Sequence, residues 1–272
     1  MLQNIFDSHA HYDSRQFGPN DQGLPDRDAL LGAILPRAGV RRVMNVGSDY
    51  NSSVQSLRLA KAYPFVSCAV GVHPEAASDL ENGWLERIEA LAKDREVRAI
   101  GEIGLDYHYE PYSREDQLAV FRAQLELAGK LGLPVIVHSR DAVQDTMDLL
   151  REYRPKGIVH CFSGSAETAK EVVALGMYVG FTGVVTFKNA KKALRAAEAV
   201  PLERLLVETD CPYMAPEPHR GQRCDSSLLP FTIAALAKIK GVGEQELADL
   251  TYRNACKVYG LPDDLQVSVE GI

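Results

Sequence analysis

The hydrophobic positions of this chain recur as short, β-branched runs that polar segments separate. Runs of this kind, bounded by turn residues, are typical of buried strands. Eight of them are found, and their starts are spaced by 20 to 37 residues, which is enough for one strand and one crossover helix. The predicted strands are Ile5-Phe6, Arg42-Val46, Phe65-Val70, Val97-Ile103, Pro134-Val137, Gly157-Val159, Met177-Phe181 and Leu205-Val207.

The segments between these runs carry the spacing of amphipathic helices. The clearest covers Ser113–Lys130, where Leu118, Phe121 and Leu125 share one face and Ser113 with Asp116 resembles a capping box. Gly260-Leu261-Pro262 marks the end of the last helix. The other predicted helices are Asp26–Arg37, Ser52–Ala62, Trp84–Lys93, Ala142–Glu152, Ala166–Leu175, Lys191–Ala199, Ser227–Lys240 and Glu244–Tyr259.

Eight alternating strands and helices predict an α/β fold, a (β/α)8 TIM barrel with an additional C-terminal helix. The rival is an open, doubly wound sheet, for which a Gly-x-Gly-x-x-Gly turn after the first strand would be a sign. That turn is absent. No linker or shift of composition divides residues 1–262, so we expect one domain over residues 1–272 with its core at about 5–262.

Composition and charge narrow the class of protein. The 37 acidic and 30 basic residues give a formal net charge of −7, which argues against a broadly basic surface for nucleic acid. No apolar stretch approaches the roughly 18 residues of a membrane span, and the start lacks a secretory signal. Five widely spaced cysteines without a CxxC pair favour reduced thiols. We therefore expect a cytoplasmic protein that does not associate with membranes.

The chemistry-bearing residues stand where the predicted strands end. His9 and His11 follow the first strand, Glu102 lies near the end of the fourth, and Asp210 follows the eighth. The carboxyl ends of barrel strands are where active sites of this fold assemble. Two further histidines end the fifth and sixth strands. The set is His9, His11, Glu102, His138, His160 and Asp210.

These residue types suit divalent cations. His9-Ala10-His11 places two imidazoles on one side of an extended chain, although such a pair can also be only hydrogen-bonded. Glu102 interrupts an apolar strand, so it is either a carboxylate that bridges two cations or a buried acid paired with Lys or Arg. His138 and His160 are either buried structural histidines or the ligands of a second cation.

Two acidic residues after the eighth strand have different predicted roles. Asp210 can bind the first cation and accept a proton from the attacking water. Glu208 faces the same way and can be a ligand, but we favour a hydrogen-bonding role behind the ligands. Ligands of this kind accept zinc, manganese or magnesium.

Six motifs together resemble the TatD family of metal-dependent deoxyribonucleases, a branch of the amidohydrolase-like metallo-barrels. The resemblance runs in order from about residue 5 to 258. The motifs are Asp7-Ser8-His9-Ala10-His11, Gly71-Val72-His73-Pro74, Gly101-Glu102-Ile103-Gly104-Leu105-Asp106, His138-Ser139-Arg140, His160-Cys161-Phe162-Ser163-Gly164 and Glu208-Thr209-Asp210.

The resemblance implies two divalent metal ions per subunit. It implies that His9, His11, Glu102 and Asp210 hold one ion, that Glu102, His138 and His160 hold the other, and that Asp210 is the general base. It also implies that His73 helps to place the scissile phosphate; otherwise His73 is a loop histidine propped by Pro74. The resemblance thus implies that Glu102 and Asp210 are the catalytic residues.

Substrate contacts are expected from loop residues near the ligands. Arg140 and Ser163 are candidates, with Asp106 and His108 close enough to support ligands or substrate. The family commonly has an Arg-Gly-Lys-Arg-Asn-Glu-Pro-like loop after strand 8, and residues 220–226 depart from it. Arg223 remains able to meet a phosphate.

The leading hypothesis is hydrolysis of DNA phosphodiester bonds, in an exonuclease-like manner, by a metal-activated water. The same centre suits a carbon ester or amide, so a D-aminoacyl-tRNA deacylase or a hydrolase of small lactones or cyclic amides is the alternative. A barrel that keeps metal only as a structural element is a third. The sequence leaves the oligomeric state open, and a monomer fits it.

Overall fold

The structure, a computed structural model that describes residues 1–19 and 23–265, confirms the predicted barrel. Eight parallel strands follow one another in sheet order β1 to β8. Residues 20–22 and 266–272, which the predicted domain includes, lie outside the described residues. The strands are β1 Ile5–Ala10, β2 Val40–Val46, β3 Val66–Val70, β4 Val97–Asp106, β5 Val135–Arg140, β6 Gly157–Val159, β7 Tyr178–Phe181 and β8 Leu205–Val207.

A helical segment follows each strand, and one further helix comes after the segment that follows β8. The segment after β1 starts at Asp26, whose side chain accepts a hydrogen bond from the Ala29 amide, and has three parts: Arg27–Ala29, a π-helical Leu30–Ile34 and Leu35–Arg37. No helix of the described residues is long and apolar enough to cross a membrane. The other helices are Tyr50–Ala62, Trp84–Ala92, Arg114–Leu131, Val143–Tyr153, Ala166–Ala174, Lys191–Ala199, Leu229–Lys240 and Glu244–Tyr259.

The inside of the barrel is filled by apolar side chains from every strand. The last helix, Glu244–Tyr259, packs Tyr252 and Tyr259 against Phe6 of β1, each ring centroid 5.9 Å from that of Phe6. This helix therefore completes the core at the amino end of the strands and leaves the carboxyl end for polar residues. The strand residues of this inner cluster are Phe6, Met44, Val46, Ala69, Ala99, Ile136, Ile158, Tyr178 and Leu206.

The first and last strands meet at a seam that side chains reinforce. The His11 amide donates to the Cys211 carbonyl and the Asp210 amide to the His9 carbonyl, both at 2.9 Å. Below them the buried carboxylate of Asp7 accepts hydrogen bonds from the Thr209 amide at 2.9 Å and the Thr209 hydroxyl at 2.6 Å. The seam therefore sets the His9–His11 pair beside Asp210.

Three strands extend further at their carboxyl ends than the hydrophobic pattern predicts. β1 continues to Ala10, β4 to Asp106 and β5 to Arg140. The apolar runs stop earlier because polar side chains replace apolar ones where the strands reach the carboxyl face. His9 and His138 therefore lie inside β1 and β5 rather than after or at the end of them, and Glu102 lies in the middle of β4.

Candidate metal centre

The two oxygens of Glu102 face two different pairs of histidines. Oε2 lies 3.4 Å from His9 Nε2 and 3.5 Å from His11 Nε2. Oε1 lies 2.7 Å from His160 Nε2 and 3.0 Å from His138 Nδ1. A single carboxylate thus stands between two groups of imidazole nitrogens, an arrangement that suits a bridging ligand.

Asp210 joins the first of these groups. Its Oδ1 lies 3.5 Å from His11 Nε2 and 3.7 Å from His9 Nε2. The backbone of Asp210 is left-handed, with φ of 57°. Such a conformation is uncommon for a residue with a side chain and is frequent at functional sites. The structure thus brings together all six residues that were predicted as ligands.

The hydrogen bonds behind the histidines determine which ring nitrogens are free. His11 Nδ1 lies 2.7 Å from the Val46 carbonyl oxygen, to which it must donate. A neutral His11 then has its lone pair on Nε2, which is 3.0 Å from Nε2 of His9. His138 Nε2 lies 3.0 Å from Asp106 Oδ2, and this leaves its Nδ1 toward Glu102. Carboxylates and carbonyls commonly orient metal-binding histidines in this way.

These residues fit divalent cations. The ligand atoms of His9, His11 and Asp210 lie within 4.8 Å of one another, as do those of His9, Glu102 and His160. His9 and Glu102 are buried, and His9 Nδ1 has no hydrogen-bond partner among the described residues. Imidazole nitrogens and carboxylate oxygens converging on one point are the ligands that zinc, manganese and magnesium accept.

The centre is strongly charged. Burial raises the pKa of Glu102, but the charge of His160 and the hydrogen bonds from His11 and His138 outweigh it and hold that pKa well below its ordinary value. Burial likewise raises the pKa of Asp210, and the hydrogen bond from His11 lowers it to below its ordinary value. Burial lowers the pKa of His160, but Glu102 raises it to about 10. Both carboxylates are therefore ionised and need positive charge beside them.

Glu208 lies behind the ligands and is fully buried. Its Oε1 accepts a hydrogen bond from the Cys161 amide at 2.5 Å, and its Oε2 accepts one from the Ser8 hydroxyl at 3.3 Å. His160 Nδ1 is 3.6 Å from the same Oε1. These contacts match the hydrogen-bonding role that was favoured for Glu208.

His73 comes closer to the centre than a loop histidine propped by Pro74 would. Its Nε2 is 3.5 Å from Glu102 Oε1, while its Nδ1 accepts a hydrogen bond from the Glu75 amide. Burial lowers the pKa of His73 to about 4. The ring is therefore neutral with its proton on Nε2, so it presents a hydrogen-bond donor, not a metal-ligating lone pair, to this side of the centre.

The other three predicted substrate residues are placed differently. Arg140 ends β5, and its guanidinium lies 4.7 Å from the centre of the Tyr109 ring. Ser163 is exposed and lines a cavity of about 20 Å³ between β6 and its neighbouring helices. Arg223 donates to the carbonyl oxygens of Gln16 at 2.9 Å and Pro25 at 2.6 Å, so its guanidinium fastens the segment after β1.

Sequence reasoning missed several residues that support the centre. Gln117 and Gln124, on helix Arg114–Leu131, hydrogen-bond the backbone of Asp106 and Val72. Asp7 was quoted only as part of a motif, but it accepts from Ser226 at 2.6 Å as well as from Thr209. The available signal was a polar residue that interrupts an apolar face or strand.

Comparisons with known proteins identify the family. The model of a family described as TatD related DNase matches residues 6–260. The chain belongs to this TatD family. A protein of Bacillus subtilis named uncharacterized metal-dependent hydrolase YabD is 37% identical over 94% of this chain and 98% of its own. A Salmonella typhimurium protein named 3'-5' ssDNA/RNA exonuclease TatD is 34% identical over 92% and 97%.

Solved structures of TatD proteins have the same fold. The Escherichia coli TatD homolog YJJV is 29% identical with a TM-score of 0.86, over 96% of this chain and 100% of that one. A hydrolase of the TatD family from Entamoeba histolytica is 25% identical with a TM-score of 0.84, over 95% and 99%. The chain is a metal-dependent hydrolase of the TatD family.

Proposed function

We propose that this TatD protein is a two-metal phosphodiesterase that removes nucleotides from the end of a DNA strand. The observation that carries the proposal is the position of Glu102, whose two oxygens face separate pairs of imidazoles at 2.7 to 3.5 Å. A carboxylate placed in this way suits two cations that share one phosphate group.

Each cation would have its own ligand group. His9, His11, Asp210 and Oε2 of Glu102 would hold one, and His138, His160 and Oε1 of Glu102 the other. When bound, two divalent cations such as zinc, magnesium or manganese lower the pKa of a water molecule and neutralise charge on a phosphate. The identity of the ions stays open because this ligand set accepts several metals.

The side chains around the centre have distinct tasks. Asp210 is ionised and partly exposed at the mouth of the barrel, so its carboxylate can accept the proton of the attacking water. His73 can donate a hydrogen bond from Nε2 to a non-bridging phosphate oxygen. Asp106 holds His138 in orientation from behind, and Glu208 lies 3.6 Å from His160 Nδ1.

Two considerations support DNA and an end-directed cut. The family description names a DNase, and two relatives are named 3'-5' ssDNA/RNA exonucleases. A site at the mouth of a closed barrel receives a strand end more easily than the middle of a duplex. We also propose a cytoplasmic location, which five free cysteines in the described residues support.

The direct test is nuclease activity of metal-reconstituted protein on single-stranded DNA labelled at one end. We expect a ladder of stepwise shortened products from wild type and a loss of at least a hundredfold in Glu102→Ala. The matched control is Glu152→Ala, which removes an exposed carboxylate paired with Arg122 and leaves the rate unchanged. Equal rates for wild type and Glu102→Ala would reject the proposal.

A substrate panel separates phosphodiester hydrolysis from the ester and amide alternatives. The same enzyme preparation is offered DNA, aminoacylated tRNA and simple lactones, each with and without Glu102→Ala. Hydrolysis of charged tRNA or a lactone that depends on Glu102, with DNA left intact, would replace the proposed substrate and leave the metal centre in place.

A further inference from the structure

The exposed apolar side chains of this protein gather around the mouth of the barrel. Apart from Met1, every large apolar side chain that is exposed among the described residues lies after a barrel strand or in the first turn of the next helix. Scattered apolar residues on a surface need no explanation, but a group beside an active site indicates binding. They are Leu24, Tyr109, Val143, Tyr213, Met214 and Phe231.

Three of these residues belong to the segment after β8. Tyr213 and Phe231 are 54% and 40% exposed, although aromatic rings are usually covered. The Tyr213 amide donates to the Asp210 carbonyl at 3.0 Å, so this surface starts at the metal centre itself. Met214 adjoins Tyr213 and is 39% exposed.

An arginine and a histidine accompany these rings. The Arg220 guanidinium lies 4.3 Å from the centre of the Phe187 ring, and the His219 ring lies 5.1 Å from that of Phe231. The segments 183–192 and 211–225 contain five Lys and Arg residues and two Asp and Glu residues. This part of the mouth is therefore positively charged in a chain whose net charge is −7.

The opposite side of the mouth has the reverse charge. A cavity of about 500 Å³ beside His73 is lined by one basic residue, Arg87, and by four acidic ones. A polyanion is repelled there and attracted to the segments after β7 and β8. The acidic residues are Asp49, Glu75, Asp79 and Glu81.

We propose that Phe187, Tyr213, Arg220 and Phe231 form a β7–β8 platform that binds unpaired nucleotides next to the bond being cut. The proposal rests on the proposed function and assigns the residues that bind its single-stranded substrate. Bases stack on Tyr213 and Phe231, and Arg220 meets a phosphate. An aromatic and cationic surface of this kind binds single strands with little sequence preference, whereas the bases of a duplex are hidden from it.

The test is binding of a fluorescent oligo(dT) strand of about fifteen nucleotides to the metal-loaded enzyme. A phosphorothioate backbone keeps the strand intact, and anisotropy reports the dissociation constant. We expect Tyr213→Ala and Phe231→Ala each to weaken binding about 5-fold to 100-fold. Arg220→Gln lowers the slope of log affinity against log salt by about 0.7.

The matched control is Arg87→Gln on the acidic side. Arg87 also stacks on an aromatic ring, with its guanidinium 3.8 Å from the centre of the Tyr50 ring. We expect this variant to bind the strand as wild type does, and a duplex of the same length to bind more weakly than the single strand. Circular dichroism and thermal melting verify that each variant is folded.

The outcomes distinguish the platform from the proposed function. The platform is rejected if Tyr213→Ala, Phe231→Ala and Arg220→Gln all bind the strand with wild-type affinity. It is also rejected if Arg87→Gln loses as much affinity as they do. Either result stands even if the enzyme cleaves DNA. Equal affinity for single strand and duplex overturns the single-strand assignment. If the platform variants lose affinity as expected but the wild-type enzyme cleaves no DNA, the platform is supported and the proposed nuclease function is rejected.

Discussion

Gln124 forms two hydrogen bonds with the backbone of one residue, Val72. Its Oε1 accepts from the Val72 amide at 2.8 Å, and its Nε2 donates to the Val72 carbonyl at 3.0 Å. Gln117, two turns earlier on the same helix, binds the amide and carbonyl of Asp106 at 2.8 and 2.7 Å. Since Val72 precedes His73 and Asp106 contacts His138, one helix face fixes two parts of the centre.

Replacing Gln124 with Glu keeps the shape of the side chain and removes the donor. The Val72 carbonyl loses its partner, and a carboxylate is buried where the side chain is inaccessible to solvent. We expect the free energy of unfolding to fall by about 1–3 kcal/mol. Urea unfolding measures it. The control, Gln144→Glu on an exposed helix face, changes stability by only a few tenths of a kcal/mol; a similar change in both variants would contradict the prediction.

Asp106 is expected to control metal affinity through His138. Its Oδ2 faces His138 Nε2 at 3.0 Å and its Oδ1 accepts from the His108 amide at 2.8 Å. Because each oxygen faces an N–H donor, Asp106→Asn places an NH2 group opposite one of these donors. If His138 is a ligand, as we propose, metal affinity falls about 10-fold to 100-fold. Competition with a chromogenic chelator measures it.

A second aspartate–histidine pair supplies the control for that experiment. Asp141 lies 2.7 Å from Nδ1 of His108, but both side chains are exposed. Asp141→Asn should therefore leave metal affinity as in wild type. If Asp106→Asn binds metal as tightly as Asp141→Asn does, Asp106 has no orienting role.

The barrel could be predicted from the sequence because its strands are buried on both faces and appear as continuous apolar runs. The same rule explains the errors at β1, β4 and β5. There the strand continues although Asp7, Asp106 or His138 replaces an apolar residue, because each finds polar partners near the carboxyl face. Periodicity detects apolar burial and has no information about a polar residue whose partner comes from another strand.

The candidate ligands could be predicted because a parallel barrel carries every strand end to one face. The direction of each ring could not, since it depends on partners distant in sequence. The Val46 carbonyl that orients His11 is an example, because a backbone group leaves no trace in the sequence. Arg223 is another, since its two carbonyl partners, Gln16 and Pro25, are about 200 residues away.

Metal should stabilise the folded protein. Four imidazoles and two carboxylates converge at the mouth, and an unfolded chain cannot hold them together. Zinc or manganese at a hundred times its dissociation constant is expected to add about 2.7 kcal/mol, which raises Tm by about 5–10 °C. Differential scanning fluorimetry with and without EDTA measures the shift. Glu102→Gln should lose most of it, and an undiminished shift in that variant would place the metal elsewhere.

Gly180 of β7 leaves space for Glu208. A Cβ at this position would lie 2.3 Å from Glu208 Oε2, and Glu208 is buried and hydrogen-bonded, so it cannot move without losing the Cys161 amide. Gly180→Ala is expected to lower the free energy of unfolding by about 1–3 kcal/mol. Gly129→Ala is the control with the opposite sign, because this glycine lies in a helix with open space around it and alanine should add about 0.5–1 kcal/mol. Equal effects in urea unfolding would contradict this account.

The pair of Arg114 and Asp145 should give stability that depends on acid pH. Arg114 donates to both oxygens of Asp145 at 2.7 and 2.8 Å, and Tyr107 donates to Oδ2 at 2.7 Å. Hydrogen bonds from Arg114 and then Tyr107 lower the pKa of Asp145 below its ordinary value of 3.8. The folded state thus prefers the carboxylate, and its stabilisation is complete above the unfolded pKa and lost as pH falls through the lower folded pKa.

Asp145→Asn should therefore lower Tm by the same small amount at every pH from neutrality to about 5, and the difference from wild type should shrink below about pH 4. Thermal melting of both proteins across this range measures it. Arg114→Gln removes the main cause of the lowered Asp145 pKa. In a protein that already carries Arg114→Gln, Asp145→Asn should therefore lower Tm by less at neutral pH. A Tm difference between wild type and Asp145→Asn that persists undiminished to pH 3 would show that the loss comes from packing and not from the charge on Asp145.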